Sequence, residues 1–363
     1  MTERSRTPAV TNAVAVLTLL GEGRRPLTVT AIARELDLPR TSVDRICETL
    51  SVERLLSRGT DGTFWLGPRV ATSGAVSRGA RPRSLRLGVL VPDLGNAYYG
   101  TFITAVEADA QAAGDEVLVH DARDDVDEQR RQWQVLLDDD VDVILVDSVA
   151  THGFDDLVRA SSEQGVPVIA IGTRIAGVDV SVTSDNTQAG VLAGLELAQH
   201  LPPGARIAIV DGLQKNANAE RIAGFLDALS DHPDLHVVGR QRGRVEDEES
   251  GRDAVERLLA EHGPLDGVFA VCDPLALGVA DRVAGRPQRT SIVSVDGRSR
   301  AVQEILAGGA FLATVAQDPA KLGTTAMASA RDVCEGFWPH QRVVSLPVQL
   351  ITRSDAARYE AWG

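Results

Sequence analysis

The run Leu87-Gly88-Val89-Leu90-Val91-Pro92-Asp93-Leu94-Gly95-Asn96-Ala97-Tyr98-Tyr99 decides the architecture. Its first five residues are apolar on both faces, as a strand must be when helices cover both sides of a parallel sheet. Polar residues and an aromatic pair follow where the strand ends. In open parallel sheets that is the edge at which ligands bind. The same grammar repeats downstream. Val143–Val146, Val168–Ile171, Ile207–Val210, Val268–Val271 and Ile292–Val295 are further short apolar runs. Between them Phe102–Ala113, Gln129–Leu137, Ala189–His200, Ile222–Leu229, Ala254–Leu259 and Leu275–Val283 carry helical spacing. Strands alternating with helices this often read as a doubly wound α/β chain with units enough for two sheets.

Each strand run closes on a polar group: Asp147, Gly172-Thr173-Arg174, Asp211, Cys272-Asp273 and Asp296-Gly297. Carboxylates at such a rim accept hydrogen bonds from the hydroxyls of a neutral polyol, and aromatic rings such as Tyr98 and Tyr99 cover the C–H face of a sugar. Strand-end acids also cap the helices that follow them, and Asp147 and Asp211 read mainly that way. Asp138-Asp139-Asp140 and Glu246–Glu249 read as solvated helix termini.

The net charge of −14 divides unevenly along the chain. Residues 1–86 hold 14 Arg against 8 Asp and Glu, a balance of +6, while the remainder holds 23 basic and 43 acidic residues, a balance of −20. A small basic module therefore precedes a large acidic one, and the acidic bulk would confine any nucleic-acid contact to the head. In the head, Val10, Ala13, Val14, Leu17 and Leu20 lie on one face of a first helix. Thr28 is placed to cap a second, Val29–Leu36. Asp37-Leu38-Pro39 then turns into a third helix that opens with Arg40, Thr41, Ser42 and Arg45. Two short helices joined by a tight turn fit helix-turn-helix geometry, in which the start of the second helix enters the major groove. Leu55–Arg58 and Thr63–Leu66, joined through Asp61-Gly62, read as a hairpin wing carrying Arg58. Ala71–Arg83 has no apolar periodicity and reads as a flexible tether; its Arg78, Arg81 and Arg83, with Arg86 just beyond it, could graze phosphates.

Two resemblances follow from these residues. Arg25–Thr28 through Leu38-Pro39-Arg40-Thr41-Ser42-Val43-Asp44-Arg45, closed by Leu66-Gly67-Pro68-Arg69, resembles the winged helix-turn-helix of isocitrate-lyase-regulator (IclR) type proteins over roughly residues 8–70. It implies that Arg40, Thr41, Ser42 and Arg45 face DNA, with Thr28 and Arg58 on the backbone. Residues 85–350 are similar to type I periplasmic sugar-binding proteins and to the effector domains of lactose-repressor-type regulators. The landmarks are Val91-Pro92-Asp93 with Asn96–Tyr99, Gly165–Val168, Ser184-Asp185-Asn186, Glu220-Arg221 with Gly224-Phe225, Asp273 with Ala276–Gly278, Val295-Asp296-Gly297 and Ala316–Pro319. This likeness implies a ligand cleft lined by Asn96, Tyr98, Tyr99, Asp273, Asp296 and Gln317, with a less direct transfer to Arg174 and Asn218, and a hinge role for Asp185. Two departures stand out: Gly172-Thr173-Arg174 replaces the Asp-Arg pair usual after the fourth strand, and Cys272 replaces an Asn.

The resulting expectation is a winged helix-turn-helix head (1–70), a linker (71–84) and a two-lobed effector module (85–363). Lobe one would comprise about 85–187 and 318–346, and lobe two about 188–317 and 347–363. The function expected is a transcriptional regulator, a repressor in the leading form, acting on an operator in double-stranded DNA as a homodimer and controlled by a small carbohydrate or polyol. The alternative is the solute-binding receptor of a sugar importer. No apolar run reaches the ~18 residues of a membrane span. Ala13–Leu20 after Arg4 and Arg6 lacks the flanks of a secretory signal, so a cytoplasmic location is expected. Cys47, Cys272 and Cys334 suggest neither disulfide nor metal site. The chain has no GxGxxG after a strand, GxxxxGK[ST], GxSxG or HExxH, and holds only two lysines, Lys215 and Lys321, so neither catalysis nor a cofactor is expected.

Overall fold

The structure, a computed structural model, describes residues 8–23, 26–59, 62–67, 70, 84–335 and 343–363. The tether with Arg78, Arg81 and Arg83, the hairpin residue Asp61, and Pro68-Arg69 lie outside the described residues.

The head is built from α1 (Pro8–Gly23), β1 (Leu27–Thr28), α2 (Val29–Glu35), α3 (Arg40–Val52), β2 (Leu56–Arg58) and β3 (Thr63–Leu66). The Thr28 hydroxyl caps α2 by accepting the Ala31 N–H at 3.3 Å, as its position before an apolar-periodic run suggests. Asp37 takes a left-handed φ of 51° in the turn before α3, a conformation that Asp tolerates better than most residues. Val16, Leu20, Ile32, Val43, Cys47, Leu50, Leu56 and Phe64 form the head's own core. β3 pairs antiparallel with both β2 and β1. The two-residue β1 carries no sequence signal of its own.

Lobe one is a six-stranded parallel sheet in the order β14-β8-β7-β6-β4-β5. Its strands are β4 (Arg86–Val91), β5 (Glu116–Asp121), β6 (Val143–Val146), β7 (Val168–Ile171), β8 (Val180–Ser184) and, from much later in the chain, β14 (Val343–Leu346). The helices α4 (Ala97–Ala113), α5 (Val126–Asp138), α6 (Asp155–Gln164) and α12 (Pro319–Cys334) belong to this lobe. Lobe two orders β10 (His236–Arg242), β9 (Arg206–Asp211), β11 (Gly267–Ala270), β12 (Ser291–Asp296), β13 (Phe311–Ala316) and an antiparallel β15 (Gln349–Thr352). Its helices are α7 (Asn186–His200), α8 (Asn216–Ser230), α9 (Glu248–His262), α10 (Asp273–Val283), α11 (Ser299–Ala307) and the short α13 (Arg353–Ala356).

The chain crosses between the lobes three times, between β8 and α7, between β13 and α12, and between β14 and β15. At two crossings an aspartate caps the next helix: Asp185 accepts the Gln188 N–H at 2.9 Å and Asp318 accepts the Lys321 N–H at 2.7 Å. In lobe two, α7 and α8 touch backbone to backbone. A Cβ on Gly190 would collide with the Arg221 carbonyl, and one on Gly224 with the Thr187 carbonyl. That close approach fixes the start of α8, which carries Asn218 and Arg221 toward the cleft.

Candidate functional site

The head presents α3 outward. Arg40, Thr41 and Arg45 are exposed, and Ser42 is half-buried, while Val43, Cys47 and Leu50 on the opposite face are buried. Arg58 is exposed on the wing strand, with its guanidinium 5.5 Å from the centroid of the Phe64 ring. Thr28 is exposed, and its oxygen already accepts the α2 cap bond, so its O–H is what it can offer to a phosphate. Hydroxyls and guanidinium groups at the start of one helix, with nothing bulky and apolar among them, suit contact with base edges and phosphates.

The second site lies between the lobes, at the carboxyl edges of both sheets. Asn96, Tyr98, Tyr99, Asp147, Gly172 and Thr173 line it from lobe one. Lys215, Asn218, Arg221, Glu246, Cys272 and Asp296 line it from lobe two, with Gln317 at a crossing. The free space between these groups is about 70 Å³, and a neighbouring cavity of about 340 Å³ shares Asn96, Tyr99, Lys215 and Glu246 with it. Asn96 caps α4 by accepting the Tyr98 N–H at 3.0 Å. This aims the two tyrosines into the cleft, edge to face with centroids 5.2 Å apart. Asp296 holds φ at 139°, a strained conformation for a residue with a side chain and of the kind that clusters at binding sites. Its carboxylate accepts Gln317 Nε2 at 2.8 Å and the Asp273 N–H at 3.2 Å, and stands 3.6 Å from the Arg221 guanidinium.

Several readings from the sequence need correction. Asp273 is fully buried behind the cleft rather than lining it. Its carboxylate accepts from Ser294, Thr314 and the Arg298 N–H, and so braces the strand ends that carry Asp296. Arg174 sits at the rim, paired with Glu220 of the other lobe, while its carbonyl accepts Asn216 Nδ2 at 2.9 Å. It links the lobes rather than lining the pocket. Asp147 is no mere cap. Its carboxylate accepts the Tyr99 hydroxyl at 2.8 Å and the Thr173 hydroxyl at 3.3 Å. A Cβ on Gly172 would stand 2.9 Å from its Oδ2. The departure at 172 thus opens the space that Asp147 fills, and the carboxylate reaches the cleft from the neighbouring strand. Glu246 is not a solvated terminus either; its Oε1 accepts the Asn218 amide at 2.7 Å and the Leu213 N–H at 3.1 Å within the cleft. Asp211, by contrast, is structural: buried, it holds Arg240 and Arg242 of the sheet-edge strand β10.

Arg221, Lys215 and Trp362 were not singled out as site residues. Arg221 is buried, donating from Nε to Asn186 Oδ1 at 2.9 Å and from Nη1 to the Val271 carbonyl at 2.7 Å. These bonds aim it at Asp296. Trp362 donates its indole N–H to the Asp296 and Gln317 carbonyls at 3.1 and 3.2 Å and meets Tyr98 edge-on at 5.6 Å. Only the third dimension brings it there.

Burial pushes the Asp147 carboxyl up to about 6, against the pull of Lys215 and its hydroxyl donors. Burial opposes the charge on Lys215, but Glu246, Asp147 and Asp124 together hold its ammonium above the ordinary lysine range. Tyr99 and Cys272 are pushed well above their usual values, chiefly by burial, and stay protonated. The cleft therefore offers fixed acceptors, donors and aromatic edges, the means of holding a small polyhydroxylated molecule. Among the described residues no cluster of His, Cys, Asp or Glu is arranged to hold a metal ion, and no helix is long and apolar enough to cross a membrane.

Comparison with known families agrees with this geometry. Residues 87–336 match the model of the periplasmic binding protein domain, and residues 9–59 match that of the IclR helix-turn-helix domain. The chain belongs to the periplasmic binding protein family, with an IclR-type head. Among relatives of this family, the ribose import binding protein RbsB of Bacillus subtilis is 28% identical over 308 residues, covering 84% of this chain and 97% of that protein. The HTH-type transcriptional repressor PurR of Salmonella arizonae is 25% identical over 340 residues, covering 87% and 95% respectively. In three dimensions, the periplasmic-binding fold overlays an ABC transporter solute binding protein of Mycobacterium smegmatis with bound glycerol. The TM-score is 0.71 at 26% identity, over 77% of this chain and 99% of that one.

Proposed function

We propose that the chain is a transcriptional repressor whose affinity for an operator is set by a small neutral carbohydrate or polyol held between the lobes. The observation that carries this reading is the presence, in one chain, of an outward-facing Arg-Thr-Ser helix start and a cleft walled by tyrosines and hydrogen-bonding groups. Tyr98 and Tyr99 would cover the C–H face of the ligand. Asn96, Asp147, Asn218, Arg221, Asp296 and Gln317 would meet its hydroxyls. The relatives named above handle ribose or repress transcription, and the glycerol-bound structure shares the fold, which supports both halves of the reading.

The free space of about 70 Å³ is small beside the ~300 Å³ of ordinary ligand pockets, so a sugar-sized ligand would part the lobes further before they re-close on it. A ligand that prefers one lobe arrangement shifts the whole protein toward it. The effect on DNA affinity is expected on the scale of about 1–3 kcal/mol. Paired in a homodimer, two such heads would address two half-sites. Arg174 and Glu220, which tie the rim shut, would be first to separate.

A thermal-shift panel of ribose, xylitol, myo-inositol and glycerol, followed by fluorescence anisotropy on the chain's own upstream DNA, tests the proposal. A ligand that raises the melting point and changes DNA affinity supports it; unchanged DNA affinity across every compound that binds overturns effector control. The importer-receptor reading draws on the 97% coverage of the ribose import protein. Recovery of the protein outside the cytoplasm after cell fractionation would favour it. The head, which an importer receptor has no use for, favours the repressor.

A further inference from the structure

The head does not merely precede lobe one; it sits on it. Strand β3 alternates as a strand must: Phe64 enters the head's own core, while Trp65, 5% exposed, joins an apolar cluster of lobe one with Ile175 and Val178. Two hydrogen bonds flank that ring. Arg54, 4% exposed at the end of α3, gives its guanidinium to the Asp179 carbonyl, and the Ser162 hydroxyl of α6 donates to the Leu66 carbonyl at 2.9 Å. The contact has a shaped seat. Gly177 holds φ at 81°, and a Cβ there would stand 3.1 Å from the Trp65 ring and 3.3 Å from the Arg58 carbonyl.

The seat belongs to a segment with a second role. Strands β7 and β8 run parallel, Ile169 facing Val180 and Ile171 facing Val182. The connection 172–179 must therefore leave at the cleft edge of the sheet and return at the opposite edge. At its start, Gly172 and Thr173 line the cleft, Thr173 binds Asp147 and Arg174 pairs with Glu220 of lobe two. At its end, Asp179 accepts Arg54, bonds Val168 through both its N–H and its carboxylate, and adjoins the Trp65 seat. One short stretch of chain touches the ligand cleft at one end and the wing at the other.

We infer that the base of the wing is a docking element held on segment 172–179, so that head and lobe one move as one body and the state of the cleft reaches the head through this segment. The inference needs neither an effector nor an operator, so it stands or falls apart from the repressor reading.

Hydrogen exchange on the full chain tests it, comparing wild type with Trp65→Ala. Trp65 lies outside the head's core, so α1–α3 should keep their protection. Amides 62–67 and 175–179 should exchange roughly tenfold faster or more in the variant, as a local opening would produce. Amides 172–174 at the cleft should follow, by roughly threefold or more. If wild type already exchanges 175–179 as fast as the variant, the docking is wrong. If the change stops short of 174, docking survives and transmission to the cleft is overturned. Gly177→Val, which leaves the head sequence intact, should reproduce the pattern should Trp65→Ala unfold the head. Unaltered exchange in Gly177→Val would likewise refute the docking.

Discussion

Asp147 illustrates how one residue couples site chemistry to pH. Its folded value of about 6 lies above its ordinary 3.8, so the native state binds an extra proton between roughly pH 4 and 6. The unliganded protein should therefore gain stability from this group as pH falls through that window, by at most about 3 kcal/mol. A ligand hydroxyl bonds the ionised carboxylate more strongly than the neutral acid, so ligand affinity should fall as pH drops through 6, by up to about tenfold at pH 5. Asp147→Asn should flatten both trends; titration calorimetry between pH 5 and 8 and melts over pH 4 to 7 would read them. On the head, Arg40→Ala and Arg45→Ala should each weaken operator binding by roughly tenfold. Where the lost contact is to a phosphate, the slope of log affinity against log salt should shrink by about one. The outward-facing residues Arg40, Thr41 and Arg45 were legible in sequence because a helix start is local. So were Asn96, Tyr98 and Tyr99, next to a strand end. Asp147 and Glu246 were misread because the same residue types cap helices, and only the empty space over Gly172 and the approach of Asn218 distinguish the roles. Trp362, remote in sequence from everything it touches, left no local trace.

At the scale of elements, burial alone does not decide what the sequence revealed: β8 (VSVTS) and β13 (FLATVA) are interior and buried, yet neither was read as a strand. The interior strands β4, β6, β7, β9, β11 and β12 are continuous apolar runs and were found to within a residue or two. The edge strands β5 (EVLVHD) and β10 (HVVGRQR) mix polar residues and are largely exposed or half-buried, so no apolar run marks them. β14 and β15 cannot be assigned at all without the crossings that deliver them to separate sheets. Glycine gives a sharper lesson. Gly190 was unremarkable inside a helical pattern, yet it lets α7 meet the backbone of Arg221. Gly190→Ala should force the helices apart and cost about 3 kcal/mol, lowering the melting midpoint by roughly 6–12 °C. Because the displaced backbone carries Arg221, ligand affinity should suffer with it, whereas Gly100→Ala, in α4 with nothing within 4 Å, should leave ligand affinity unchanged and raise the midpoint slightly, through roughly 0.5–1 kcal/mol of helix propensity. Differential scanning calorimetry and a ligand titration would separate the two variants.

For the whole molecule, a basic head and an acidic α/β module could be read from the sequence, but their mutual placement could not. The stretch 71–83 reads as a tether, and a tether alone predicts a loose head; the seat for Trp65 is written in residues about a hundred positions away. Trp65→Ala should leave DNA affinity and ligand affinity each within about threefold of wild type. The ratio of DNA affinities with and without ligand should move toward one, since linkage requires a physical connection between the two equilibria. Anisotropy titrations in the presence and absence of whichever panel compound binds would measure it. A seated head also constrains the genome. If each reading helix is bolted to its lobe, the pitch between the two halves of a palindrome is dictated by how the lobes pair, not by linker length. Inserting five base pairs, half a helical turn, at the palindrome's centre should then abolish recognition in wild type. Freeing the wing with Trp65→Ala should restore tolerance to the misphased site.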